Sequence, residues 1–131
     1  MRVKTILLAC FALGACVAAT PAPGVPGCYE GPCIAIGESQ QFGIMRVTPE
    51  EVLADSRCPI EADCVWAGEL KVKTRLDIGH ETIWVDITAW EPFTINGGTL
   101  LLAEVAPDAS TQWPKLKALD YGFRFTFTEN D

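Results

Sequence analysis

The chain has 131 residues with 10 basic and 17 acidic side chains, a formal charge of −7 and a pI near 4.6. At roughly 100–200 residues per domain this is one domain, large enough for its own core. An apolar content of 49% excludes a wholly disordered chain, and the acidic balance argues against nucleic acid as the partner.

The chain opens MRVKTILLACFALGAC. Arg2 and Lys4 precede an apolar run from Thr5 to Ala15. This has the length of a signal-peptide core and is too short to span a bilayer. Leu13-Gly14-Ala15-Cys16 resembles a bacterial lipobox, which makes residues 1–15 a signal peptide and Cys16 the lipid attachment site. Val17-Ala18-Ala19 also suits ordinary cleavage, with Thr20 first, and the protein is then soluble in the periplasm or secreted. The position after Cys16 is Val17, not the Asp of inner-membrane retention. The expected address is therefore the outer membrane, facing the periplasm, with the bilayer a partner through the lipid anchor. Without residues 1–15 the chain carries 8 basic and 17 acidic residues, a charge of −9. Residues 16–27 are rich in Pro and Gly and uncharged, the composition of a tether. Residues 28–131 form the folded domain.

Four cysteines remain in that domain: Cys28, Cys33, Cys58 and Cys64. An even number in an exported chain implies two disulfides, with three connectivities open. Short loops containing Gly or Pro favour Cys28–Cys33 and Cys58–Cys64. A four-thiolate zinc site is the alternative, but its spacings are long and export favours oxidation.

The elements expected along the domain are strands. Ile34 to Gly37 and Gln41 to Thr48 read as two short ones. Thr48-Pro49-Glu50-Glu51 has the form of a capping box with Pro at the first helical position, predicting a helical turn to Ala54. From Cys64 to Ile78 the chain alternates. Trp66, Leu70, Val72, Thr74 and Leu76 fall on an inner face, and Lys71, Lys73 and Arg75 on an outer one. A second alternating run, Ile83 to Ala89, follows a Gly79-His80 turn. A two-residue turn with Gly first fixes the register: Leu76 faces Ile83, Val72 faces Ile87, Lys73 faces Asp86 as an ion pair, and Arg75 faces Trp84 as a cation–π pair. Phe93 to Ile95 turns at Asn96-Gly97-Gly98 into Thr99 to Val105, apolar on both faces and so expected to be central. Pro107 to Asp120 reads as a crossing loop with a short helical turn near Leu116. Tyr121, Phe123, Phe125 and Phe127 give the strongest core signal. About seven short strands predict an all-β domain, a single antiparallel β-sandwich, with a small barrel as the alternative.

Asp55-Ser56-Arg57-Cys58-Pro59 followed by Cys64-Val65-Trp66-Ala67-Gly68 resembles a family of small exported bacterial proteins and lipoproteins. They share a D-S-R-C-P, spacer, C-x-W-A-G block. The resemblance implies export, a β-rich domain and a Cys58–Cys64 bridge, and it implies no particular activity. In this block Trp66 is expected to pack inward beside the bridge, Gly68 to make room for a bulky neighbour, and Asp55 and Arg57 to pair or to satisfy backbone groups.

Catalytic signals are weak. Gly37-Glu38-Ser39-Gln40-Gln41 lacks the second Gly of a nucleophile elbow, and the lone His80 falls at a hairpin tip. No P-loop or dinucleotide fingerprint occurs. No catalytic residue, metal or cofactor is assigned. Arg75, Trp84, Trp90 and Trp113 form the candidate binding surface, for an envelope protein or a glycan. The expectation is a non-enzymatic, monomeric envelope lipoprotein acting as a binding module. An inhibitor of a periplasmic hydrolase is the alternative, and a small hydrolase with a carboxylate pair is a third.

Overall fold

The computed structural model describes residues 27–112 and 115–131. The signal segment, Cys16 and most of the tether lie outside the described residues, as does Trp113. The strands are β1 (Gln40–Phe42), β2 (Met45–Asp55), β3 (Leu70–Ile78), β4 (Glu81–Thr88), β5 (Phe93–Ile95), β6 (Gly98–Ala106) and β7 (Gly122–Glu129), with a single 3₁₀ turn at Ala118–Asp120. They form a four-stranded sheet in the order β1-β2-β3-β4 and a three-stranded sheet in the order β5-β6-β7. All pairs are antiparallel. The domain is a β-sandwich of two successive meanders, not a closed barrel, and β6 is central in its sheet as expected.

The core lies between the sheets. Met45, Val47, Leu70, Val72, Leu76 and Ile87 of the first sheet meet Leu100, Leu102, Phe123 and Phe125 of the second. The β3–β4 hairpin has the register fixed by its turn: Leu76 opposite Ile83, Val72 opposite Ile87, Lys73 opposite Asp86 and Arg75 opposite Trp84. Gly79 has φ 60°, as a Gly-led turn requires, and His80 is exposed. Burial along the inner row of β4 falls toward the hairpin tip. Ile87 is buried, Val85 half-buried, and Ile83 is 37% exposed although Leu76 across from it is sealed. The core therefore ends between β3 and β4 at that level.

The structure corrects four sequence-based expectations. First, Thr48 to Ala54 is not helical. It continues β2, with bulges between Pro49 and Glu51 and between Val52 and Ala54. Pro49 is tolerated because its carbonyl points away from β3, accepting from Gly37 N at 2.7 Å. Its missing N–H lies on that same side, so the β2–β3 ladder loses nothing. Thr48, the supposed cap, is buried and bonded to Ser39 Oγ. Second, Ile34 to Gly37 is not a full strand but makes one bridge, from Ile34 to Phe123, and Gln41 to Thr48 is not one strand but the β1–β2 hairpin, turning at Gly43-Ile44. Third, the long strand begins at Leu70, not Cys64, and Trp66 is 78% exposed, not packed inward. Fourth, Arg75 does not stack on Trp84. It pairs with Glu50 (3.1 Å) and Asp77 (3.3 Å), while Lys73 Nζ lies 5.5 Å from the Trp84 ring instead of meeting Asp86. The bulge that follows Pro49 places Glu50 where it captures Arg75.

Because Leu76 and Ile83 face each other across the limit of the core, the same truncation should cost different amounts. Leu76→Ala should destabilise by about 2–5 kcal/mol through a cavity, and Ile83→Ala by only about 1 kcal/mol. Denaturant unfolding of the two variants measures this difference.

Candidate functional site

Two disulfides, Cys28–Cys33 and Cys58–Cys64, staple the end of the sandwich where the long connections gather, with Cα–Cα separations of 5.3 and 5.9 Å. Both are the local pairings expected from the spacing. Disulfides persist outside the reducing cytoplasm, so the protein is non-cytoplasmic. Among the described residues no helix is long and apolar enough to cross a membrane, and no group of three His, Cys, Asp or Glu side chains is placed to hold a metal ion.

The bridged loop between β2 and β3 is locked by one side chain. Arg57 forks onto Asp55, Nε to Oδ1 at 2.8 Å and Nη2 to Oδ2 at 2.9 Å, and its Nη1 donates to the Pro107 carbonyl at 3.0 Å. The Tyr121 hydroxyl donates to Asp55 Oδ2 at 2.8 Å. Both charged side chains are largely buried, at 7% and 18% exposure. These four groups come from the end of β2, the bridged loop, the end of β6 and the start of β7. The clasp therefore ties one sheet to the other. Asp55 and Arg57 pair as the sequence suggested; Tyr121 and the Pro107 carbonyl are additions visible only once the sheets are stacked. Gly68 lies against the same corner, where a Cβ would stand 1.5 Å from the Ser56 carbonyl oxygen. The space that Gly68 leaves is filled by backbone, not by a bulky side chain.

Burial pushes the Asp55 carboxyl up, but the bonds from Arg57 and Tyr121 and the guanidinium charge outweigh it, holding it below the ordinary carboxylate range. The Tyr121 phenol is pushed well above its ordinary value, first by burial and then by the bond to Asp55. A depression of about 670 Å³ beside the clasp is lined by Asp55, Arg57, Ser110, Lys115 and Tyr121. A carboxylate held ionised there has no proton to give as a general acid.

On the other side of the bridged loop two adjoining depressions, of about 400 and 280 Å³, share Ile60, Trp90, Val105 and Asp108 in their walls. Cys28 and Tyr29 of the first bridged loop close one end, and Cys58 of the second bridge, with Ala67 and Gly68 beyond it, closes the other. Together they form a groove between the two stapled segments. Trp90 sits at its centre, where the chain crosses from β4 to β5. Its N–H donates to the Leu102 carbonyl at 3.0 Å, linking the sheets. Its φ is 65°, in the left-handed region that a bulky residue rarely adopts. The residue is 52% exposed. Tyr29 and Ile60 beside it are exposed too. Carboxylates border the groove. Tyr29 Oη donates to Asp108 at 3.0 Å, and Glu104 is held by Arg124, which also reaches Glu30 at 3.0 Å.

The three described residues of the expected binding surface do not form one patch. Arg75 and Trp84 lie together on the outer face of the four-stranded sheet, opposite each other. Trp90 stands beyond the end of β4, in the groove. Trp113 lies outside the described residues. Tyr29 and Ile60 were missed by the sequence reading. Their signal was an exposed apolar residue inside each short disulfide loop, where no periodicity operates. Comparison of the chain with family models, with curated proteins and with solved structures gives no match.

The clasp sets a pH window. Asp55 has a lowered folded-state pKa, so its contribution is present above the unfolded carboxylate value near 3.9 and is lost as pH falls below it. Tyr121 has a raised one, so its contribution is present below the unfolded phenol value of about 10 and is lost as pH climbs above it. Stability should therefore hold between about pH 4 and 10 and decline on both sides. Tyr121→Phe should cost about 1–3 kcal/mol at pH 7 and remove the phenol's share of the alkaline decline. Thermal unfolding across pH checks both.

Proposed function

We propose that the protein is a non-enzymatic binding module of the bacterial cell envelope, anchored through Cys16, and that the groove around Trp90 grips an exposed apolar segment of a partner envelope protein. The observation that carries this is Trp90 itself. A large aromatic held at φ 65° with half its surface in water is a strained arrangement. Strain of this kind, of order 1–3 kcal/mol, persists where surrounding structure enforces it, and it clusters at ligand clamps. The Leu102 hydrogen bond, with the flanking bonds from Ala89 N to the Leu70 carbonyl and from Glu91 N to the Thr88 carbonyl, supplies that enforcement. Exposed Tyr29 and Ile60 add anchors of the kind that dominate protein interfaces. The acidic border and the charge of −9 left after removal of residues 1–15 favour a partner with basic residues beside its apolar segment. The resemblance of the Asp55–Pro59 and Cys64–Gly68 block to small exported lipoproteins fits this reading, since the block builds one wall of the groove.

A second reading, inhibition of a periplasmic hydrolase, is favoured by the segment that follows the Cys58–Cys64 loop. Val65 and Trp66 project there into solvent beside a covalent staple. A rigid apolar loop of this form suits insertion into a cleft.

Affinity capture from envelope extract with the membrane-anchored protein should recover a discrete partner. Trp90→Asn should reduce recovery at least tenfold while changing stability by no more than about 1 kcal/mol, because Asn tolerates the left-handed region. Cys16→Ser should move protein and partner together into the soluble fraction. Equal recovery by Trp90→Asn would reject the groove. A single recovered hydrolase, inhibited stoichiometrically and released by loss of Trp66, would favour the second reading.

A further inference from the structure

The sandwich has four sheet edges, and three are short or covered. β1 and β5 have three residues each. The edge of β7 is blocked: Ile34 exchanges two backbone bonds of 2.8 Å with Phe123. One step along, the Gln40 side-chain amide takes the place of a peptide. It donates to the Phe125 carbonyl at 3.1 Å and accepts from Phe125 N at 3.2 Å. The fourth edge, β4, has eight residues, no Pro and no bulge. Edges of this kind invite pairing with another chain. Ala89 N donates to the Leu70 carbonyl, so the odd-numbered residues of β4 turn their backbone groups toward β3 and the even-numbered ones turn outward. Among the described residues nothing bonds the outward N–H and C=O groups of Thr82, Trp84 and Asp86. Ile83 on the inner face and Trp84 on the outer face are exposed at this same edge.

We propose that β4 is a dimerisation edge and that its occupant is β4 of a second copy of this chain, antiparallel, across a twofold axis at Trp84. The strand's own sequence argues for a second copy. Reversed about Trp84, Thr82-Ile83-Trp84-Val85-Asp86 matches itself in chemical class. Trp84 meets Trp84, Ile83 meets Val85 and Thr82 meets Asp86, so apolar residues face apolar ones and a hydroxyl faces a carboxylate. The outward backbone groups of the even-numbered residues then complete the ladder, and two four-stranded sheets become one. Sliding the axis to Asp86 would place two carboxylates opposite each other, which disfavours that register. The contact is isologous and closed, so it yields dimers and not fibres. A twofold assembly then replaces the expected monomer.

Sedimentation velocity of the exported protein tests this, run in mild detergent so that an acyl chain at Cys16 does not itself drive association. The native protein should sediment as a dimer at tens of micromolar, and Trp84→Lys, which sets like charges at the axis, should weaken association at least tenfold. Cysteine cross-linking reads the register independently. Residues paired across a hydrogen-bonded position have Cα atoms about 5.5 Å apart, within disulfide reach. Trp84→Cys should therefore form covalent dimers under mild oxidation. Thr82→Cys alone should not, but should do so when mixed with Asp86→Cys. A native protein that stays monomeric, including one whose β4 instead binds a foreign extended peptide, would overturn the proposal. So would a dimer unaffected by Trp84→Lys, or cross-linking of Thr82→Cys as efficient as that of Trp84→Cys.

Discussion

The Arg57 guanidinium is the point on which the working end of this domain depends. Two small meanders packed face to face bury a core, but nothing in a sandwich core holds a loop of more than a dozen residues between β2 and β3 in place. Here one planar cation does so. It forks onto Asp55 at the end of β2, reaches the Pro107 carbonyl at the end of β6, and shares Asp55 with Tyr121 at the start of β7. A bidentate pair sets orientation as well as energy, so Arg57 fixes the angle at which the loop leaves the sheet. The Cys58–Cys64 bridge follows in the next residue and closes the loop covalently. A loop of this size contributes about 2 kcal/mol in the chain-entropy model. Bridge and clasp act on the same segment from two sides.

The groove follows from that arrangement. Its walls are the bridged loop, the N-terminal bridge and the end of β6; the ladder with β7 holds β6, whereas the two bridged segments lie outside the strands and are held by their disulfides and side chains. Ile60 N donates to the Ala109 carbonyl at 2.9 Å, stitching the bridged loop to the segment after β6. Trp90 joins the sheets from the opposite side through Leu102. A strained aromatic between two stapled loops is preorganised, and preorganisation lowers the ordering cost that binding must otherwise meet.

Much of the fold was legible in the sequence, for local reasons. The β3–β4 register followed from period-two patterning and a Gly-led turn, both set within twenty residues. Phe123 and Phe125 announced the second sheet's core by the same alternation. The failures share one cause: a local signal overruled by a distant partner. Thr48-Pro49-Glu50-Glu51 has the composition of a helix start, but Ser39 claims the Thr48 hydroxyl, Gly37 takes the Pro49 carbonyl and Arg75 takes Glu50. Arg75, drawn to Glu50, then left Trp84 to Lys73. Trp66 continued the alternation of β3 on paper, yet pairing stops at Leu70 opposite Asp55, and the residues before it belong to the bridged loop. The clasp was half legible. Asp55 and Arg57 are two residues apart and visibly complementary, whereas Tyr121 is 66 residues from Asp55 and joins only because the sheets stack.

If Arg57 positions the bridged loop, weakening its fork should loosen that loop and leave the sheets intact. Lysine keeps the charge but loses the planar, bidentate donor set. Amide hydrogen exchange of Arg57→Lys is therefore the most direct measurement. The Ile60 amide, bonded across to Ala109, should lose its protection, while the amides of Leu70 to Ile78 exchange as in the native protein. Undiminished protection at Ile60 would contradict the account, and so would uniform loss across β3.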